Sequence, residues 1–187
     1  DGTDQRYVVA DVTARARETF GTDPVWVPQG PVIREVLLAQ DPSLALTDWD
    51  NPGLIDLDGW AVCDPGRVPG AGGSPVVVGR YSRDHPLKHP ATHADMVAAY
   101  DLGPGFEVRL MGSRATWKRL ALEAGLPQDT PVPAGWTMLR AGSMDPKDLL
   151  RDLDFFLYQD HPDRHEAFGR VLLEAAASGV VVVAHPK

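Results

Sequence analysis

The stretch Glu166-Ala167-Phe168-Gly169-Arg170-Val171-Leu172-Leu173-Glu174-Ala175-Ala176-Ala177-Ser178-Gly179-Val180-Val181-Val182-Val183-Ala184 decides the fold. Its first half predicts a helix from about Gly169 to Ser178, because apolar helix formers fill 171–177 and Gly179 permits the left-handed exit. Its second half predicts a strand over 180–184, and the unbroken valines fit a strand buried on both faces of a parallel sheet. Glu174 stands in the middle of the apolar helix, where a carboxylate is costly to bury unless something hydrogen-bonds it.

Working outward, the same alternation runs back to Pro75. Strands are expected over 76–79, 107–111, 136–139 and 154–158, and helices over 92–100, 115–124 and 146–150. Such a βαβ series closes into a Rossmann-like α/β fold, a parallel sheet with helices on both faces that binds ligands at the carboxyl ends of its strands. Before Pro75 the pattern predicts a β-prone run over 7–10 and a helix capped by Asp11 or Thr13 that stops at Gly21. A strand over 25–27, the turn Pro28-Gln29-Gly30-Pro31 and a short helix over 33–39 follow. The glycine-rich run 66–74 leads into a strand and lacks the strand-then-helix setting of a phosphate cradle, so it reads as a flexible connector. The domain organisation expected is 1–74 as a crossover segment with an elaborated loop or linker, and 75–187 as the Rossmann-like domain. Both ends read as cuts from a longer chain.

Composition narrows the function. With 26 acidic against 18 basic residues the formal net charge is −8, which argues against a nucleic-acid partner. No apolar run approaches the roughly 18 residues that span a bilayer. The single cysteine, Cys63, excludes an internal disulfide and a cysteine zinc cluster, suits a reducing compartment, and reads as a small core residue.

Glu166 precedes the predicted helix, where unpaired N–H groups and the macrodipole favour negative charge; those N–H groups would equally face a phosphate. Gly169, having no β-carbon, lets a phosphate approach the backbone of Phe168, Gly169 and Arg170. Glu166 and Glu174, with Phe168-Gly169 and Leu172-Leu173-Glu174-Ala175 between and around them, resemble the Glu-x7-Glu signature of retaining GT-B glycosyltransferases, family four in particular; Ala167 is the departure. A second match is Val78-Gly79-Arg80 followed by Lys88, where that family places an Arg and a Lys against the diphosphate. The spacing of eight exceeds the usual five, so Arg83 is an alternative to Lys88. Pro28-Gln29-Gly30-Pro31 is similar to the family's crossover, and 138–144 loosely to its nucleobase loop.

The resemblance implies the donor-binding half of a hexosyltransferase that takes a UDP- or GDP-linked sugar without a metal or other cofactor. Catalytic roles then fall to Arg80, Lys88 and Glu166, and nucleotide-sugar contacts to Gly79, His161, Phe168, Gly169, Arg170 and Glu174. Glu166 would touch the sugar and Glu174 the ribose. The diphosphate leaves with growing negative charge, which cations and aligned dipoles stabilise. The implied partners are the donor, a glycan, lipid or protein acceptor, and an N-terminal domain of the same chain. The implied location is the cytoplasm, or the inner face of a membrane. The alternatives are a non-catalytic nucleotide or interaction module on the same scaffold, and a GT-B sugar-nucleotide epimerase.

Other constellations are set aside. His85, His89 and His93 recur every four residues, but Pro86 and Pro90 break a common helix, and Pro162 does the same between His161 and His165. No Gly-x-Ser-x-Gly elbow is present. Asp154 and Asp160 read as loop-capping residues.

Overall fold

The computed structural model describes residues 8–51, 53–163 and 169–185. Contacts divide the chain into two compact units that part between Leu54 and Ile55. The first unit carries α1 (Val9–Phe20) and α2 (Pro31–Gln40). Gly21 closes α1 with φ 73°, and Pro31 opens α2 at a position where its missing N–H costs nothing. The β-prone run expected over 7–10 gives way to helix at Val9 and Ala10. The strand expected over 25–27 is a single parallel bridge between Trp26 and Leu46. Pro24 and Pro28 flank it and contribute no N–H, so no ladder extends from it.

The second unit begins with α3 (Leu57–Trp60) and continues as β1 (Val76–Tyr81), α4 (His93–Tyr100), β2 (Phe106–Met111), α5 (Arg114–Glu123) and β3 (Trp136–Leu139). It closes with α6 (Pro146–Asp152), β4 (Phe155–Tyr158), α7 (Arg170–Ala177) and β5 (Val181–Ala184). All pairings are parallel and the order is β3-β2-β1-β4-β5. Local chemistry sets the helix starts. The Thr92 hydroxyl accepts from the Asp95 N–H at 3.1 Å to open α4, and Asp145 accepts from the Lys147 N–H at 2.8 Å to open α6.

Alternation along the strands feeds two cores. Val108 and Leu110 of β2 pack with Met96 and Tyr100 of α4 and Trp117 and Leu120 of α5. Met111, Val77 and Phe156 pack with Leu149 and Leu150 of α6 and Ala175 of α7. Full burial of one such large side chain contributes roughly 1.5–3 kcal/mol. Cys63 is partly buried against the second of these cores, and its thiol donates to the Leu150 carbonyl at 3.4 Å.

Two further expectations are corrected in this unit. In this chain the valine run is not buried on both faces: among the described residues β5 pairs with β4 alone, and Val181 and Val183 are 55% and 44% exposed. A β-branched run reports strand propensity; its place in the strand order decides burial. The glycine-rich segment 66–74 is not a free connector either. The Arg67 guanidinium donates to Asp154 at 2.7 Å and to the carbonyls of Arg151 and Asp152, both at 2.8 Å. The other Asp154 oxygen accepts the Val77 N–H at 2.7 Å, so this carboxylate ties the segment to the start of β1.

Candidate functional site

In the order β3-β2-β1-β4-β5 the chain leaves β1 towards β2 on one side and later returns to place β4 on the other. The carboxyl ends of β1 and β4 therefore form the switch-point crevice at which open parallel sheets bind ligands. Arg80, next to last in β1, is 0% exposed. Its Nη1 donates to the Gln159 carbonyl at 2.6 Å, just beyond β4, and its guanidinium carbon lies 4.5 Å from the centre of the Tyr158 ring. Nε and Nη2 make no hydrogen bond among the described residues. Two nitrogens of this buried guanidinium are therefore left without a hydrogen-bond acceptor among the described residues, a deficit that costs stability.

The segment joining β1 to α4 is pinned to the turn between β2 and α5. Ser82 N–H donates to the Met111 carbonyl at 3.0 Å. The Asp84 carboxylate accepts from the Ala115 N–H at 2.6 Å, the Thr116 N–H at 2.9 Å and the Thr116 hydroxyl at 2.7 Å, capping α5 from a distant part of the chain. His89, 0% exposed, bonds through Nε2 to the Gly112 carbonyl at 2.9 Å. That contact makes Nε2 the protonated nitrogen. Burial, reinforced by the nearby Arg80 charge, pulls the His89 imidazole down to about 4, so it is neutral at physiological pH. Gly112 has φ 84°, and a β-carbon there would lie 1.8 Å from the Ser82 carbonyl oxygen; only glycine permits this approach.

The structure gathers three of the expected residues at this crevice. Arg80 reaches Gln159, and the His161 N–H reaches the Leu87 carbonyl at 3.4 Å, which sets His161 beside Lys88 in the turn 86–88. Gly79 lies inside β1, where a β-carbon would be 2.3 Å from the Arg109 carbonyl oxygen, so the sheet itself requires glycine there. Arg83 is exposed.

Glu174 is 6% exposed. One carboxylate oxygen accepts from the Tyr81 hydroxyl, and the other from Arg170 Nε at 2.8 Å, one turn earlier on α7. Burial and the adjacent carboxylate hold the Tyr81 hydroxyl well above the usual phenol range, so it remains a donor. Gly169 precedes α7 with φ 67°, and Arg170 opens the helix with its side chain 77% exposed. Glu166 and Phe168 lie outside the described residues.

Among the described residues no three His, Cys, Asp or Glu side chains are grouped to hold a metal. His93 packs against Trp117, with ring centres 4.3 Å apart. No helix of the described residues is long and apolar enough to cross a membrane. Sequence reading overlooked Tyr81, Asp84 and Gly112 and rejected His89 only as a metal ligand. A glycine between strand and helix was the one local signal available, at Gly112.

No family model and no curated protein sequence matches the chain. Solved structures do. Anabaena HepE, in complex with UDP and glucose, superposes with a TM-score of 0.63 at 17% identity, over 94% of this chain and 47% of HepE. The fold is a glycosyltransferase fold. A glycosyltransferase from Rickettsia africae gives a TM-score of 0.58 at 18% identity, over 95% of this chain and 48% of that one. The lipopolysaccharide outer core galactosyltransferase WaaB gives 0.53 at 19% identity, over 84% and 42%. The sheet and its flanking helices match the C-terminal half of GT-B folds, and the chain spans about half the length of these structures.

Proposed function

We propose that this chain is the donor-binding half of a glycosyltransferase that takes a nucleotide diphosphate sugar and transfers its hexose with retention of configuration. The observation that carries the reading is Arg80, a fully buried guanidinium at the switch-point crevice with Nε and Nη2 unsatisfied. A diphosphate would supply the missing acceptors, and its departure would be stabilised by the same charge. His89 supports the framework of this site by holding the segment after β1 to the Gly112 carbonyl.

On this reading residues 75–187 form the donor domain and 1–74 the crossover with its loop, of which residues 55–74 belong to the same compact unit as the sheet. Lys88 and His161 line the phosphate and sugar side, and Glu166 positions the sugar. The backbone of Phe168, Gly169 and Arg170 approaches the phosphates, and Gly79 gives β1 the close packing that brings Arg80 to the crevice. Glu174 contacts the ribose; its oxygens already serve Tyr81 and Arg170, but a carboxylate has about four acceptor positions and so retains capacity for hydroxyls. The fit of the sheet to HepE, whose structure contains UDP and glucose, supports the donor class. The acceptor site belongs to the other half of such enzymes, so the chain is expected to bind without turning over.

Calorimetric titration with UDP, GDP and ADP tests the reading. Micromolar binding of one nucleotide is expected, weakened about 10- to 100-fold in Arg80→Ala through loss of charge-assisted hydrogen bonds. Absence of binding to any of them by the folded chain, or binding indifferent to Arg80→Ala, refutes it and favours a scaffold module.

A further inference from the structure

The geometry points to a second anion site, in an open groove of about 450 Å³ lined by Arg114 and Lys118 of α5 and by Arg140 just after β3. Helix α5 is charged against its own dipole. No acidic side chain stands in its first turn and no basic one in its last, while Arg114 opens it and Lys118 follows one turn later on the same face. Cations at the positive end of a helix are disfavoured, and like charges four residues apart repel. Arg140 adds a third positive charge to the same groove.

Among the described residues Asp84 is the one carboxylate that lines this groove, and it offsets only part of the cluster. None of the three cations makes an ion pair there, whereas Arg109, Arg119, Arg151 and Arg170 around the same sheet all do. The Asp84 carboxylate is engaged by the Ala115 and Thr116 N–H groups and the Thr116 hydroxyl. Three exposed cations against one committed carboxylate leave the groove positive in a chain whose net charge is −8. Local charge placement that opposes helix stability is the kind of inconsistency that functional sites retain. A phosphoryl group fits the arrangement: Arg114 and Arg140 each offer a fork of N–H donors and Lys118 a point charge. Arg140 and Ala141 fall in 138–144, the stretch likened above to a nucleobase loop, but the inference rests on the charges of Arg114, Lys118 and Arg140 and not on Arg80.

The test is a titration of the whole chain with inorganic pyrophosphate, followed residue by residue by amide NMR, in the native chain, Lys118→Glu and Arg140→Glu. Shifts are expected at 114–118 and 140–141, with affinity about tenfold weaker in either variant. The melting temperature should hold or rise in Lys118→Glu, because an acidic residue there relieves the repulsion. Sedimentation with phosphatidylglycerol vesicles, beside phosphatidylcholine alone, identifies the source. Lys118-dependent vesicle binding assigns the phosphoryl group to a lipid headgroup, and pyrophosphate binding without vesicle binding assigns it to a soluble phosphate ester; both uphold the site. Shifts confined to Arg80 and Gln159, no shifts at all, or a fall in melting temperature in Lys118→Glu overturn it. UDP binding that requires Arg80 but not Lys118 leaves the donor reading standing whatever the fate of the groove.

Discussion

His89 should make this fold acid-sensitive in a defined window. Its imidazole titrates at 6.5 when exposed and at about 4 in the folded chain, mainly because burial disfavours the charged form and secondarily because Arg80 repels it. Between these values the unfolded chain binds a proton that the folded chain does not, so stability rises with pH there. His89 therefore contributes its full stabilisation above pH 6.5 and loses it progressively as pH falls to about 4, where the loss levels off. At 1.36 kcal/mol per pH unit the total is about 3 kcal/mol. The clean comparison is His89→Gln, whose side-chain amide can still donate to the Gly112 carbonyl but does not titrate. Urea denaturation followed by tryptophan fluorescence at several values between pH 7 and 4 measures both proteins. Carboxylate titrations are common to the two and cancel. The native chain should lose about 3 kcal/mol relative to His89→Gln over this range. Parallel stability profiles would refute the argument that His89 is buried neutral beside Arg80.

Two further substitutions probe the framework of the crevice. Gly112→Ala should destabilise by about 2 kcal/mol or more, measured by the urea midpoint, because it combines a positive φ with a β-carbon 1.8 Å from the Ser82 carbonyl oxygen. Gly103→Ala, at a similar φ of 87° with nothing within 4 Å, is the control that isolates the clash; equal losses would show that the β1–α4 segment yields. Tyr81→Phe should cost about 1–3 kcal/mol by removing a buried donor to Glu174, and Glu174→Gln should add less to that variant than to the native chain. Additive losses in the double variant would mean that the two side chains do not act as a unit.

The sequence by itself determined the elements of the sheet domain. Periodicity placed β3 at its observed bounds and the other helices and strands after Pro75 within a few residues. It also singled out Arg80 and Glu174 as chemically notable. Tertiary structure decided what surrounds them. Tyr81 meets Glu174 across 93 positions, Asp84 caps a helix 31 positions away, and Arg67 reaches Asp154 across 87, and no local pattern encodes such pairs. The same limit explains β5 and Trp26. Side-chain chemistry states how readily a segment extends, but whether it becomes a buried strand, an exposed edge or a single bridge depends on which neighbours the fold places beside it, and those neighbours are fixed only when the whole sheet closes.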